Sequence, residues 1–207
     1  MEWRRPLATV TPTLDGDVLA VLAQHDAAFT TGQLHRILIQ PSPEGIRKVL
    51  QRLARQGVVD SERVGNAFTY RLNREHLAAE YIIGLARIPA TLLSRLEDRF
   101  GSWAIPPTYA AVFGSVARGT MTIDSDLDVL LVRPNEAALE SWDAQVHDLA
   151  ADVTRWMGND MRPLQFTAQE VAERASSEPV LQDVLREGLT VAGSREWLSR
   201  QVRAGRR

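Results

Sequence analysis

One stretch constrains this chain more than any other. Tyr109-Ala110-Ala111-Val112-Phe113 is a strand-length apolar run that ends in Gly114-Ser115. After ten intervening residues Asp126-Leu127-Asp128 opens a second run, Val129-Leu130-Leu131-Val132. Short continuous runs of this kind read as buried strands. Strand alternation then puts Asp126 and Asp128 on one face and Leu127 and Val129 on the other. Two carboxylates side by side at a strand end repel each other, which is costly unless a cation sits between them. Magnesium bridging to a nucleoside triphosphate meets that need. Gly114 lets a backbone approach phosphate closely and Ser115 supplies a hydroxyl. The residues after them are expected to start a short helix whose free N–H groups favour an anion.

The form Gly114-Ser115-Val116-Ala117-Arg118-Gly119, followed by Ser125-Asp126-Leu127-Asp128, resembles the signature of the DNA polymerase β-like nucleotidyltransferase superfamily. It is most similar to the minimal nucleotidyltransferases, a group that includes antitoxins paired with HEPN toxins. The resemblance implies an α+β domain over residues 105–194, a mixed sheet flanked by helices. It implies Mg²⁺ held by catalytic Asp126 and Asp128, and an NTP, ATP first, bound by Gly114, Ser115, Arg118 and Ser125. A nucleoside monophosphate would pass to a hydroxyl on protein or nucleic acid. One departure stands out. Catalytic members carry a third carboxylate on the third strand, and here Met161-Arg162-Pro163-Leu164-Gln165-Phe166 has none. Gln165 is the candidate for that position, with Asp160 a poor geometric substitute. The alternative is a transcription regulator whose weakened nucleotidyltransferase fold senses a nucleotide or builds a dimer.

The rest of the domain fits the same plan. Glu136 to Met157 is expected to be a helix burying Leu139, Trp142, Val146, Leu149, Val153 and Trp156. Thr167 then caps a helical region that runs to Gly188.

Residues 1–75 have a different grammar. Leu14 to Ala27 carries a helical apolar stripe. Thr30-Thr31-Gly32-Gln33 is a capping box opening a helix that buries Leu34, Ile37 and Leu38. Ser42-Pro43 starts a third helix with Ile46, Val49, Leu50 and Leu53 inward, and Gly57 stops it. Two alternating runs then flank Gly65-Asn66, a hairpin signal. This order resembles a winged helix-turn-helix domain of small bacterial repressors. The resemblance implies Arg47, Lys48, Gln51 and Arg52 facing a DNA groove and Arg63 and Arg71 on the wing. Its alternative is a docking or dimerisation module with solvated arginines.

Charge follows this division. Residues 36–74 hold eight cations against three anions, residues 76–194 carry eight more anions than cations, and residues 195–207 hold five arginines and one glutamate. A local positive field attracts phosphate whatever the total charge, so double-stranded DNA is an expected partner. Residues 76–104 read as an apolar helical linker suited to a homodimer interface. Residues 195–207 read as a basic tail, a surface helix fraying at its end or a phosphate-binding extension. The absence of cysteine excludes disulfides, thiolate zinc sites and a cysteine nucleophile. No apolar run reaches the ~18–20 residues of a membrane span, and the expected location is the cytoplasm.

Overall fold

The computed structural model describes residues 1–174 and 177–204. The chain divides into two compact units, one built by Arg4–Pro89 and the other from Ala90 onward.

The first unit begins with a 3₁₀ turn, Pro6–Thr9, and helix α1, Leu14–Gln24. Strand β1 (Phe29–Thr30) leads into α2 (Thr31–Leu38) and α3 (Pro43–Arg55). A hairpin, β2 (Val59–Val64) and β3 (Ala67–Leu72), and helix α4 (Ala79–Ala86) complete it. The local stop and start signals act as the sequence predicts. Thr30 and Gln33 exchange both bonds of a capping box, and Ser42 Oγ accepts from Gly45 N at 3.1 Å. Gly65 takes φ 63°, and Val64 pairs with Ala67 across the two-residue turn.

Three expectations change. Helix α1 ends at Gln24, three residues short of Ala27, because His25 is already extended and the chain enters β1. Residues Phe29 and Thr30 pair with Tyr70 and Thr69, giving the antiparallel order β1-β3-β2. Ile37, expected inside, is 48% exposed, and Leu34 alone of α2 is fully buried. The core is Val18, Leu22, Leu34, Ile46 and Leu50, all wholly inaccessible, with Leu53, Val59, Tyr70 and Leu72 around them.

The second unit holds a four-stranded mixed sheet of order β6-β5-β4-β7. After α5 (Ile88–Gly101) come β4 (Tyr109–Val112), β5 (Leu127–Arg133) and α6 (Leu139–Met157). Strand β6 (Met161–Thr167), helices α7 (Ala168–Arg174) and α8 (Pro179–Glu187), strand β7 (Leu189–Ala192) and α9 (Arg195–Ala204) follow. Strands β5 and β6 are parallel, while β4 pairs antiparallel with β5 and β7. Both sheet faces are covered, which is why β4 and β5 read as continuous apolar runs. One face packs Ala110, Val112, Leu127, Val129 and Leu131 against α5 and α6. The other packs Tyr109, Ala111, Leu130 and Val132 against Val171, Leu181, Val184, Leu198 and Val202 of α7, α8 and α9. Pro163 lies in β6, an edge strand, where a sheet tolerates a missing donor.

Differences appear here too. Helix α6 starts at Leu139, which is 60% exposed, and not at Glu136. The basic tail is largely α9, anchored by buried Leu198 and Val202, and Arg206 and Arg207 lie outside the described residues. The helical linker is two elements, α4 and α5, and the division between the units falls near the start of α5. No described helix is long and apolar enough to cross a membrane.

Candidate functional site

The Asp126 and Asp128 carboxylates project from the start of β5, beside the bend that ends β4. Three anchors fix this end of the strand. Phe113 N donates to Asp128 O at 3.0 Å, Leu127 N donates to Asp160 O at 2.8 Å, and Leu127 is wholly buried. Gly114 has φ 68°, and an added Cβ would clash with the Asp128 carboxylate, approaching its Cγ to 3.1 Å. The bend therefore requires glycine twice, for its left-handed backbone and for the space Asp128 occupies.

Residues 114–119 form hydrogen-bonded turns and not the expected short helix: Arg118 N donates to Gly114 O at 3.1 Å and Thr120 N to Ser115 O at 2.8 Å. Within the described residues the amides of Ser115, Val116 and Ala117 bond to no protein acceptor. Unpaired amides in a turn can receive an anion without a helix dipole. Arg118 Nη1 reaches Glu187 Oε1 at 3.1 Å, so its charge is shared with the end of α8.

Ser125 is committed to its own loop. Its hydroxyl accepts from Thr122 N at 3.0 Å and contacts Thr122 Oγ1 at 3.1 Å. The same loop reveals a residue that sequence reading missed. Asn159, 3% exposed, donates through Nδ2 to the carbonyls of Thr122, Ile123 and Ser125 at 3.3, 3.0 and 2.8 Å. Read along the sequence, Gly158-Asn159 only marks the end of a helix; its clamp on the approach to Asp126 depends on tertiary contact.

The third-ligand question has a geometric answer. In the parallel register Asp128 pairs with Arg162 and Leu131 with Gln165. Gln165 therefore lies on the opposite face from the acids, where its Oε1 accepts from the buried Trp142 Nε1 at 2.6 Å. It does not complete the acidic set, which corrects the sequence expectation. Asp160 engages Thr154 Oγ1 of α6 at 3.4 Å. The side chain on the acidic face is Arg162, whose Nε lies 2.6 Å from Asp126 Oδ2. Among the described residues no group of three or more His, Cys, Asp or Glu is placed to hold a metal.

Burial first, and the neighbouring Asp126 second, push the Asp128 pKa up, while Arg162 and Arg118 pull against that shift. A carboxyl held above its unfolded pKa weakens the fold as pH rises through its folded value. The Asp128→Asn variant should therefore melt above the wild type at pH 7. The gap should close as pH falls toward the ordinary Asp value of about 4. Thermal melts of the full chain across that range check this; a lower melting point for the variant at pH 7 would contradict it.

In the first unit the exposed side of α3 carries Arg47, Lys48, Gln51, Arg52 and Arg55. Several of these charges have partners. Arg47 is bidentate on Glu44 at 2.8 and 2.6 Å, Arg52 pairs with Asp15 of α1, and Arg71 with Asp60 at 3.1 Å. Arg47 depresses the Glu44 pKa and is itself raised by that bond. Arg63 Nε donates to Gly65 O at 3.2 Å on the hairpin. Phe68, near the hairpin tip, and Gln51 of α3 line a common groove.

The family model described as nucleotidyltransferase domain matches this region. The match spans residues 91–171. The span includes the Gly114 bend, both acids and Arg162. Two solved structures are similar to the chain at a TM-score of 0.40. One is a toxin-antitoxin with AMP-PNP at 16% identity, and the other is a mutant of the toxin-antitoxin MntA-HpeT at 14%. Each comparison covers 55% of this chain and 82% of the other. No curated protein matches the sequence.

Proposed function

We propose that the nucleotidyltransferase domain binds a magnesium nucleoside triphosphate, ATP first, and transfers its nucleoside monophosphate to a hydroxyl on protein or nucleic acid. The first unit acts as a winged helix-turn-helix that holds the protein on double-stranded DNA. The reading rests on the seat of Asp128, a carboxylate packed so closely on the Gly114 bend that a Cβ there would have to displace it. The donor set suits one hard cation: two acids, with the proton affinity of Asp128 raised by burial first and by Asp126 second, and the remaining coordination left to phosphate and water. Magnesium, when bound, neutralises the triphosphate and eases departure of pyrophosphate.

The chain's own groups do the rest. The Gly114 bend and the loop amides receive phosphate oxygens, Ser115 donates its hydroxyl, and Arg118 adds positive charge. The acceptor oxygen bonds to the α-phosphorus, the bond to pyrophosphate breaks, and the acceptor proton leaves to solvent. Arg162 cannot take that proton, since a guanidinium stays charged at neutral pH. Transfer is therefore slow unless an acceptor brings its own base.

The Arg162–Asp126 pair favours a second reading, in which the nucleotide is bound without turnover and signals to the DNA-binding unit. Radiolabelled NTPs with Mg²⁺ separate the two. Transfer predicts pyrophosphate release that disappears in the Asp126→Ala/Asp128→Ala double variant. Binding without release supports the sensor, and neither outcome with any of the four NTPs removes both.

On the DNA side, Arg47, Lys48, Gln51 and Arg52 would face the groove, with Arg63 and Arg71 on the wing. Leu77 and Tyr81 of the helical segment are 89% and 68% exposed, which suits a homodimer or a toxin-like protein partner. The chain's place in this scheme is the cytoplasm. In a gel shift with DNA upstream of its own coding region, Arg47→Ala/Arg52→Ala should weaken binding and lower the salt slope by about 2. Absent or salt-insensitive binding would leave the first unit as a docking module.

A further inference from the structure

We infer that Arg162 is a resident cation of the acidic pair. It neutralises Asp126 while the site is free of metal, and it transfers to the triphosphate when the magnesium nucleotide enters. This rests on the nucleotide-binding reading above and assigns to the same site a residue that gates its metal.

Four observations converge. Arg162 occupies the β6 position directly paired with Asp128, on the face the acids share, where the sequence leaves no third carboxylate. Its Nε is 2.6 Å from Asp126 Oδ2, inside the range of a charge-assisted hydrogen bond. Its side chain is 73% exposed while that of Asp126 is 28% exposed, so the guanidinium approaches from solvent and can leave without unpacking a core. Finally, β6 is an edge strand, so no further strand lies beyond Arg162 to restrict that movement.

The consequence is competition. A divalent ion arriving alone must displace the guanidinium from Asp126 and brings no anion in exchange. A divalent ion arriving with a triphosphate offers that guanidinium phosphate oxygens, for which its fork is well shaped. Metal and nucleotide should therefore bind with strong positive coupling, and because coupling is reciprocal, each tightens the other equally. A third carboxylate at this position would do the opposite, holding metal in the absence of nucleotide.

The test uses the full chain and Mn²⁺ as probe, with free Mn²⁺ read by electron paramagnetic resonance, with and without a non-hydrolysable ATP analogue. Wild type should hold Mn²⁺ weakly alone and far more tightly with the analogue. Arg162→Ala should bind Mn²⁺ alone about two- to fivefold more tightly, the scale of one lost, largely exposed ion pair. In that variant the analogue should tighten Mn²⁺ less than it does in the wild type. Arg162→Lys, which keeps the charge, should stay close to wild type in nucleotide-free affinity. Equal Mn²⁺ affinity and equal coupling in wild type and Arg162→Ala would overturn the inference while leaving nucleotide binding intact. No Mn²⁺ binding by any variant, with or without analogue, would overturn both.

Discussion

Replacing Gly114 with alanine should destabilise the second unit by about 2–4 kcal/mol and abolish nucleotide binding. Two costs combine. The residue sits at φ 68°, where an L side chain is strained by about 1–2 kcal/mol. The new methyl would also meet the Asp128 carboxylate, which must move. Asp128 is anchored through its own backbone, Phe113 N to Asp128 O, so its side chain can yield only by swinging away from the bend. That motion dismantles the seat for the cation. Gly158→Ala provides the control. Its φ is 73° but a Cβ there meets nothing within 4 Å, so it should cost only the backbone share and leave nucleotide binding unchanged. Equal losses in the two variants, measured by urea unfolding and nucleotide titration, would mean that contact with Asp128 contributes nothing.

A larger effect on stability is expected from Trp142→Ala, about 3–5 kcal/mol. Trp142 is wholly buried and receives Trp103 edge-on at 5.3 Å, which in turn meets Phe100 at 5.0 Å. The three rings link α5 to α6 beneath the sheet, so truncation opens a cavity that rigid neighbours cannot fill. Trp142→Phe keeps most of that volume and removes the bond to Gln165. Because Gln165 is exposed, its carbonyl can turn to water, and the cost should fall to about 1 kcal/mol. Unfolding followed by circular dichroism ranks the two. A phenylalanine variant as unstable as the alanine one would place the energy in the hydrogen bond instead of the packing.

How far the sequence could be read depended on the range of the forces involved. The capping box at Thr30, the cap at Thr167, the Ser42-Pro43 start and the Gly65-Asn66 hairpin were legible because each is satisfied by groups within a few residues. The Gly-Ser bend followed by the paired acids was legible because both sheet faces are covered and the apolar runs are unbroken. The two-residue strand at Phe29-Thr30 was not, since only pairing with β3 makes it a strand. Residues 114–119 hold two good helix formers, Ala117 and Arg118, between Gly114 and Gly119, and the two glycines tip the segment into turns. Gln165 was misplaced because alternation shows that faces differ, and only the register of β6 against β5 shows which face holds the acids. Asn159 was invisible for a similar reason: its three carbonyl partners lie more than thirty positions away in the chain.

Calorimetric titration of a non-hydrolysable ATP analogue with Mg²⁺ into the full chain tests the account most directly. Saturable one-to-one binding is expected in the wild type, lost in the Asp126→Ala/Asp128→Ala double variant while that variant still unfolds cooperatively. Binding of equal strength in the two proteins, or none in either, would show that the acids beside the glycine bend are not a nucleotide site.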